Sequence, residues 1–180
     1  PSVTYANPGV YDVSLTVGNP YASHSLTKTG YIVVGINSFS GQIHYDNSLL
    51  SPMNNTTVNL VQGTNVVYST TTDANGNFSF DNIPLGTYTL QPQCTKPWGG
   101  GNGTDALLIT KHFVGMSTLT GVRRQAGDID NSAYVNTVDA LGVQRRFIQM
   151  ISSFPSGDWA FENPVISLTG SALEPVSIKT

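Results

Sequence analysis

Alternating apolar and polar residues in the first part of the chain predict a β-hairpin. Apolar side chains recur at every second position over residues 13–17, and a second apolar-rich run covers residues 26–34. A period of two places every second side chain on the same face of a strand. Residues 18–21 between the runs are Gly-Asn-Pro-Tyr, which is typical turn chemistry. Two antiparallel strands joined by this turn are therefore expected.

The strand pattern continues in shorter runs as far as residue 93. Five runs, each bounded by Asn, Gly, Pro or Ser, lie at residues 41–45, 57–61, 66–70, 73–80 and 85–90. Such runs favour a compact β module. Two more runs near the end of the chain, at residues 165–169 and 176–179, also read as strands that join a β module.

The first segment is too short to cover its own apolar face. A bare sheet edge invites pairing with another chain, and strand addition is a known way of completing a sandwich. We therefore expect residues 1–34 to pack against strands from a neighbouring copy or from an upstream segment. The two C-terminal runs are the candidate donors.

Beyond residue 96 the pattern changes, because one stretch of sequence occurs twice. Residues 103–107 (Gly-Thr-Asp-Ala-Leu) recur as residues 137–141 (Thr-Val-Asp-Ala-Leu). The later pairs are Lys111 with Arg145, Phe113 with Phe147, Val114 with Ile148, and Met116 with Met150. Each copy has a polar loop that leads into an amphipathic helix. The expected core residues of the second helix are Leu141, Phe147 and Ile148, with Gln144 and Arg145 outside.

The loop of the second copy has the spacing of a calcium loop. Counted from Asp128, positions 1, 3, 5, 9 and 12 carry oxygen side chains, and position 7 offers a backbone carbonyl. The predicted ligands are Asp128, Asp130, Ser132, Tyr134 through its carbonyl, Asn136 and Asp139. Ala133 stands where Gly is usual, and Asp replaces the longer Glu at position 12. The alternative is that Asp139 only caps a helix and the other acids are solvated.

The first copy lacks this ligand pattern. Counting back from Asp105 places Cys94, Lys96 and Trp98 at the ligand positions, so no ion is expected there. Asn102 and Asp105 are predicted to act as loop and cap residues. Asp73 and Asn75 are likewise predicted to shape a turn, with a second calcium site as the alternative.

Two loop-then-helix units, with no helix leading into the first loop, resemble a divergent dockerin over residues 96–162. The resemblance rests on residues 102–108 (Asn-Gly-Thr-Asp-Ala-Leu-Leu), 127–130 (Gly-Asp-Ile-Asp) and 135–141 (Val-Asn-Thr-Val-Asp-Ala-Leu). Dockerins bind cohesin domains, so the resemblance implies protein docking rather than catalysis. By motif, the implied partner-binding residues are Thr137, Val138, Gln144 and Arg145 in the second copy and Gly103, Thr104, Lys111 and His112 in the first.

Two further resemblances concern the β segments. Residues 5–17 (Tyr-Ala-Asn-Pro-Gly-Val-Tyr-Asp-Val-Ser-Leu-Thr-Val) are similar to the C-terminal part of a PKD domain. Residues 37–93 resemble a Cna-B or carboxypeptidase-regulatory-like sandwich, a scaffold with transthyretin-like architecture. The predicted fold is mainly β, with immunoglobulin-like or transthyretin-like sandwich modules and a small helical unit. The predicted domains are residues 1–36, 37–95 and 96–162, followed by C-terminal strands at 163–180.

Composition fits small β modules better than a single α/β enzyme. The chain has 180 residues, a net charge of −3 and only 11% charged residues, with a sequence pI of about 5.4. No basic stripe indicates nucleic-acid binding, and no apolar run approaches the length of a membrane span. Cys94 is the single cysteine, so no internal disulfide is expected, and the residue is interpreted as a small buried apolar residue, with a free thiol as the alternative. No catalytic motif surrounds any of the three histidines.

The aromatic residues that flank the helical segment leave two interpretations open. Trp98 and Trp159 can clamp the two ends of the segment together, or they can bind carbohydrate if they are exposed and coplanar. Together these patterns predict a non-catalytic extracellular or cell-surface protein with calcium-organised attachment to a cohesin-like partner. The alternatives are a self-assembling filament or sheath subunit, with copies of itself as partners, and an accessory region of a large secreted hydrolase or adhesin.

Overall fold

The computed structural model describes residues 2–169 and 171–180, and it is mainly β with three short helices. In chain order the elements are β1 (Gly9–Gly18), β2 (Ser23–Val34), β3 (Ile36–His44), β4 (Thr57–Gln62), β5 (Asn65–Thr71), β6 (Asn77–Pro84), β7 (Gly86–Gln93), α1 (Gly103–Phe113), α2 (Gly121–Gly127), α3 (Thr137–Phe147), β8 (Val165–Leu168) and β9 (Val176–Lys179).

Strands β1 and β2 form the predicted antiparallel hairpin as a separate two-stranded sheet. Its turn is closed by Asn19, whose side-chain oxygen accepts hydrogen bonds from the backbone of Tyr21 and Ala22, each at 2.9 Å. An Asn side chain that bonds to the backbone two residues on is a usual turn device. The apolar side chains of the hairpin, Leu15 and Leu26 among them, remain largely exposed.

The central body is a two-layer β-sandwich. One layer has the strand order β6-β3-β9, and the other has the order β5-β4-β7-β8. Their facing sides enclose one apolar core, because alternate residues of each strand point inward. The buried core residues are Phe39, Ile43, Met53, Val58, Leu60, Phe78, Phe80, Ile83, Tyr88, Leu90, Phe161, Ile166, Leu168 and Ile178.

The C-terminal strands belong to this sandwich. Strand β8 pairs antiparallel with β7, and β9 pairs parallel with β3. The expectation that these strands are donors for the N-terminal hairpin was therefore wrong. The reason is the core itself, since Ile166, Leu168 and Ile178 bury their side chains between the two layers. The helical segment is thus an insertion in the chain between two neighbouring strands of one sheet.

The inserted helical unit has a small core of its own. Its buried residues are Ala106, Ile109, Ile129, Val135, Ala140 and Val143, with Leu119 and Phe154 packed against them. Helix α2, which the sequence pattern did not predict, lies between the two copies of the repeat.

One prediction about helix α3 was wrong. Leu141, Phe147 and Ile148, expected in the core, are 45%, 55% and 62% exposed. The face of α3 that packs inward carries the small residues Ala140 and Val143 instead. Small side chains let α1 and α3 approach closely, which leaves the larger apolar residues outside.

The aromatic residues tie the helical unit together and to the sandwich. Trp98 meets Phe154 edge-on, with ring centroids 6.0 Å apart, and so joins the two ends of the unit. Trp159 instead packs on Tyr45 of the sandwich, and its indole N–H donates to the carbonyl of Lys96 at 2.9 Å. The indole N–H of Trp159 is already hydrogen-bonded, and the rings of both Trp98 and Trp159 pack on other aromatic rings. These contacts favour a structural role for both residues over carbohydrate binding.

Candidate metal site and partner surface

The loop between α2 and α3 is wound by its own acidic side chains. The carboxylate of Asp128 accepts hydrogen bonds from the backbone N–H groups of Ser132 and Ala133, at 3.0 and 2.9 Å. Asp130 accepts a second bond from the N–H of Ser132 at 3.0 Å. Asn131 and Ala133 have φ angles of 58° and 69°, in the left-handed region. Ala133 therefore adopts the backbone conformation for which a calcium loop ordinarily uses Gly at position 6.

Three carboxylates converge inside this loop. Oxygen atoms of Asp128, Asp130 and Asp139 all lie within 4.8 Å of one another. Calcium–oxygen distances of about 2.3–2.6 Å allow two ligands on opposite sides of one ion to lie roughly this far apart. The three side chains can thus reach a common ion without a large rearrangement.

Asp139 is the inner member of the group. Its side chain is fully buried, with 0% of the residue exposed. One carboxylate oxygen accepts from the N–H of Ile129 at 3.0 Å, and the other accepts from the N–H of Asn136 at 2.8 Å. These bonds connect the beginning of the loop to the first turn of α3. Any ion that binds Asp139 is therefore coupled to the position of α3.

The electrostatics of the site favour a cation. Burial raises the pKa of the Asp139 carboxyl, and the charges of Asp130 and Asp128 raise it further, against the lowering effect of the backbone hydrogen bonds. Hydrogen bonds from Ser132 lower the pKa of Asp130, which stays charged. Within the described residues, no Lys or Arg forms an ion pair with any of the three carboxylates. A bound divalent cation would neutralise this negative charge.

The remaining predicted ligands lie around the same loop with differing roles. The Ser132 hydroxyl donates to the carbonyl of Tyr134 at 3.1 Å, so these two oxygens are close neighbours. Asn136 caps α3 instead, because its side-chain oxygen accepts from the N–H of Val138 at 2.7 Å. Its own backbone N–H completes a capping box with Asp139. Asp139 thus acts as a cap residue and also faces the other two acids.

The first copy repeats the cap without the acidic loop. Asn102 accepts from the N–H of Thr104 at 2.7 Å, and Asp105 accepts from the N–H of Asn102 at 2.7 Å. The residues at the earlier positions have other contacts: Cys94 accepts from the backbone of Lys96, whose ammonium donates to Asn54 at 2.7 Å. In the part of the chain that the structure describes, no second group of three acids or other metal ligands forms.

The other candidate ion site is a turn. The Asp73 carboxylate accepts hydrogen bonds from the backbone N–H groups of Asn75 and Asn77, both at 2.8 Å. Hydrogen bonds donated by Asn77 are the main cause that lowers the pKa of Asp73, and the hydrogen bond from Asn75 lowers it further. This arrangement is an Asx-type turn that joins β5 and β6.

Most of the predicted partner-binding residues are exposed. In the second copy, Thr137, Val138, Gln144 and Arg145 are all on the surface, and Gly103 and Thr104 are exposed in the first. Lys111 and His112 are half-buried. The ring nitrogen Nδ1 of His112 accepts from the N–H of Leu119 at 3.1 Å, so this side chain also positions the loop after α1.

Sequence reasoning identified Val138 but missed the other apolar residues of this surface. Val138, Leu141, Arg145 and Ile148 follow one another at helical spacing, so they form one exposed stripe on α3. The equivalent positions of the first copy are Thr104, Leu107, Lys111 and Val114. The repeat did contain a signal for these residues. In both copies a Leu (Leu107, Leu141) and a second apolar residue (Val114, Ile148) occupy equivalent positions, outside the helix face that packs small residues into the core. We call these two sets the α3 stripe and the α1 stripe.

Comparison with known proteins identifies one part of the chain. Residues 38–96 match the carboxypeptidase regulatory-like domain, an immunoglobulin-like β-sandwich. No curated protein matches the chain. The matched region contains most of β3 and all of β4 to β7, so β8 and β9 complete the sandwich from outside it. The matched domain is of a regulatory type rather than a catalytic one, which is compatible with a role other than that of an enzyme.

Among the helices of the described residues, none has the length and apolar character needed to cross a bilayer.

Proposed function

We propose that this chain is a non-catalytic extracellular attachment module in which calcium organises the helical unit for docking to a protein partner. The observation that carries this proposal is the convergence of Asp128, Asp130 and Asp139 within 4.8 Å, with no ion pair to a Lys or Arg among the residues that the structure describes. The regulatory-like sandwich fits an extracellular or accessory module. The helical unit then provides the specific function.

The donor set favours calcium over softer metals. Carboxylate, hydroxyl and carbonyl oxygens are the ligands that hard cations prefer, and none of the six predicted ligands supplies nitrogen or sulfur. Asp128, Asp130 and Asp139 would hold the ion, with the Ser132 hydroxyl and the Tyr134 carbonyl beside them. A bound Ca²⁺ supplies two positive charges. The chain's own contribution is to place Asp139 on both the loop and α3, which couples loop closure to helix position.

The α3 stripe supports a docking role. Val138, Leu141 and Ile148 expose apolar side chains around Arg145, a residue type that is common at the centre of interfaces. Exposed apolar patches bordered by polar residues mark protein interaction sites more often than plain surface. The resemblance to dockerins points to a cohesin-like domain as the partner. The α1 stripe carries a weaker version of the same surface.

The sandwich supports presentation of this surface. The helical unit is connected at both ends to adjacent strands of one sheet, β7 and β8. Arg123 of α2 donates to the Asp46 carboxylate at 2.8 Å and to the Asp46 carbonyl at 2.7 Å, which fixes the unit to the end of β3. Two chain connections and this bidentate contact restrict the motion of the helices relative to the sheet.

Binding to a panel of purified cohesin domains tests the docking role. Biolayer interferometry on the full chain should show binding to a panel member in Ca²⁺ that is lost in EDTA. Leu141→Glu should weaken it about tenfold or more, as expected for an interface anchor. Leu85→Glu is the matched control, because Leu85 is 41% exposed on the sandwich against 45% for Leu141. Absence of binding to the whole panel, or equal effects of the two variants, would contradict the docking proposal.

A further inference from the structure

A cavity lies where the helical unit meets the sandwich. Its volume is about 880 Å³. The wall contains Tyr45 from the sandwich, Leu108 and Ile109 from α1, and Ala126 from α2. Both parts of the chain therefore form this wall, and we call the space the junction cavity. Ligand sites of about 300–1,000 Å³ occur preferentially at such junctions.

Aromatic rings make up a large part of the wall. The four aromatic residues that border the cavity are Tyr45, Trp98, Phe154 and Trp159. They are fixed in two pairs, with ring centroids 6.0 Å apart in the pair of residues 98 and 154 and 6.2 Å apart in the other pair. A ligand that meets ordered side chains does not have to immobilise them, which reduces the entropic cost of binding. These rings thus offer preformed surfaces for stacking.

The described residues that border the cavity carry no net charge. Two are basic and two are acidic, and each is already hydrogen-bonded within the chain, at 2.7 to 2.9 Å. The pairs are Lys96 with Asn54, Asp105 with the backbone N–H of Asn102, Arg123 with Asp46, and Asp158 with Arg146. A charged ligand would have to break one of these contacts or leave its charge unpaired in a mostly apolar space, which is costly. The wall therefore favours an uncharged ligand.

Neutral polar side chains also border the cavity, among them Tyr45, Gln125 and Asn131. Burial raises the pKa of the Tyr45 hydroxyl, and the nearby Cys94 raises it further, so this group stays protonated and can donate a hydrogen bond. A few such groups on a mostly apolar wall match a ring system with few polar substituents. A sugar carries hydroxyls on every side, and many of them would lose water here without gaining a partner.

We propose that the junction cavity binds an uncharged aromatic small molecule, which stacks on the rings of Trp98 and Trp159 and forms hydrogen bonds with the neutral polar groups of the wall. The volume lies within the range of sites that hold drug-sized ligands. The carboxylates of Asp128, Asp130 and Asp139 and the α3 stripe are not part of this wall. The site is therefore distinct from the calcium site and from the docking surface.

Fluorescence titration of the full chain with N-phenyl-1-naphthylamine tests this site. The probe is uncharged and aromatic, and it emits strongly only in apolar surroundings. The chain has two tryptophans, Trp98 and Trp159, and both border the cavity. Excitation of tryptophan should therefore produce emission from the bound probe, with saturation at one probe per chain. Absence of saturable, tryptophan-sensitised emission would overturn the proposal.

A matched pair of variants locates the bound probe. Ala126→Phe should fill part of the cavity and raise the dissociation constant of the probe about tenfold or more. Ala126 is exposed where it borders the cavity, so a larger side chain there does not crowd the apolar core. Ala74→Phe is the control, because it adds the same ring at an exposed position of the turn between β5 and β6. It should change the constant by less than about threefold. Equal affinities of the two variants would place the probe on another apolar surface and overturn the proposal.

A charged analogue of the probe tests the preference for an uncharged ligand. The compound 1-anilinonaphthalene-8-sulfonate has the same rings and carries one added negative charge. It should bind about tenfold or more weakly than N-phenyl-1-naphthylamine, because the wall has no unused cationic group to pair with the sulfonate. Equal or tighter binding of the anion would contradict the proposed class of ligand.

Two-dimensional NMR of the isotope-labelled full chain locates the probe without any substitution. The indole N–H signals of Trp98 and Trp159 should shift as N-phenyl-1-naphthylamine is added, because both rings border the cavity. The backbone signals of Leu15 and Leu26 on the hairpin should not shift. Shifts confined to the hairpin or to the α3 stripe would show binding at the exposed apolar side chains there and would refute a site in the junction cavity.

Discussion

Replacement of Ile178 by alanine tests whether the C-terminal strand is part of the sandwich core. Ile178 lies on β9, aligned with Ile43 of β3, and both side chains are fully buried at 0% exposure. Removing a buried Ile side chain to the level of Ala typically costs about 2–5 kcal/mol, through lost burial and the cavity left behind. For a chain of 180 residues, each kcal/mol lowers the melting temperature by about 2–4 °C. We therefore expect a decrease of roughly 4–20 °C.

The assay is thermal unfolding followed by far-ultraviolet circular dichroism, supported by urea titration. Val165→Ala on β8 is the control, because Val165 is 66% exposed and its truncation should cost less than about 0.5 kcal/mol. If Ile178→Ala and Val165→Ala unfold at the same temperature, β9 does not contribute to the core, and its assignment to the sandwich fails.

Three other changes have defined outcomes. Ala133→Gly should raise the unfolding free energy by about 0.5–1 kcal/mol in urea titration. A non-Gly residue in the left-handed region costs about 1–2 kcal/mol, which Gly removes, whereas Gly also increases the entropy of the unfolded chain and so offsets part of the gain. A loss of stability contradicts the loop geometry. The hydrogen bond from Arg123, with further contributions from Lys179, lowers the pKa of Asp46. The charged Asp46 carboxylate therefore stabilises the fold fully above the ordinary Asp pKa of about 3.9, and this stabilisation is lost as pH falls through the lowered pKa of Asp46 in the folded protein. Asp46→Asn should therefore reduce the difference in stability between pH 5 and pH 2, and an unchanged difference refutes this. Arg146→Ala should lower the free energy of unfolding by about 1.5–3 kcal/mol. The guanidinium donates a hydrogen bond to Asp158 at 2.9 Å and packs over the ring of Trp98 at 5.0 Å. Full rescue of stability by Arg146→Lys would show that packing over the ring is unimportant.

The strands and the turn chemistry were readable from local sequence. A period of two and a turn residue such as Asn19 are local signals, and both gave elements that the structure contains. The placement of β9 is a different matter, because its parallel partner β3 is more than a hundred residues away in sequence. Nothing in residues 176–179 indicates which sheet edge they occupy. The placement follows from long-range contacts, namely the burial of Ile178 in the core and the pairing of β9 with β3.

The carboxylate group could be predicted because loop spacing is also local. Asp128, Asp130 and Asp139 come together as their positions in the loop indicated. The faces of α3 could not be predicted by hydrophobicity alone, because Ala140 and Val143 pack inward while Leu141 stays outside. Close approach of two short helices favours small residues over large ones, and this preference has no signature in a ranking by apolar character. An exposed apolar stripe therefore looked like a core face.

Isothermal titration of the full chain with Ca²⁺ tests the central claim most directly. The wild-type chain should bind one ion per chain, and Asp128→Asn should abolish binding because it removes a charged ligand without changing shape. Asp73→Asn is the control, since Asp73 shapes a turn outside the helical unit and its replacement should leave the affinity unchanged. Saturating Ca²⁺ at about a hundredfold excess over the dissociation constant should also stabilise the wild-type chain by about 2.7 kcal/mol. Absence of binding to the wild-type chain, or equal binding by Asp128→Asn, would contradict a calcium-organised helical unit.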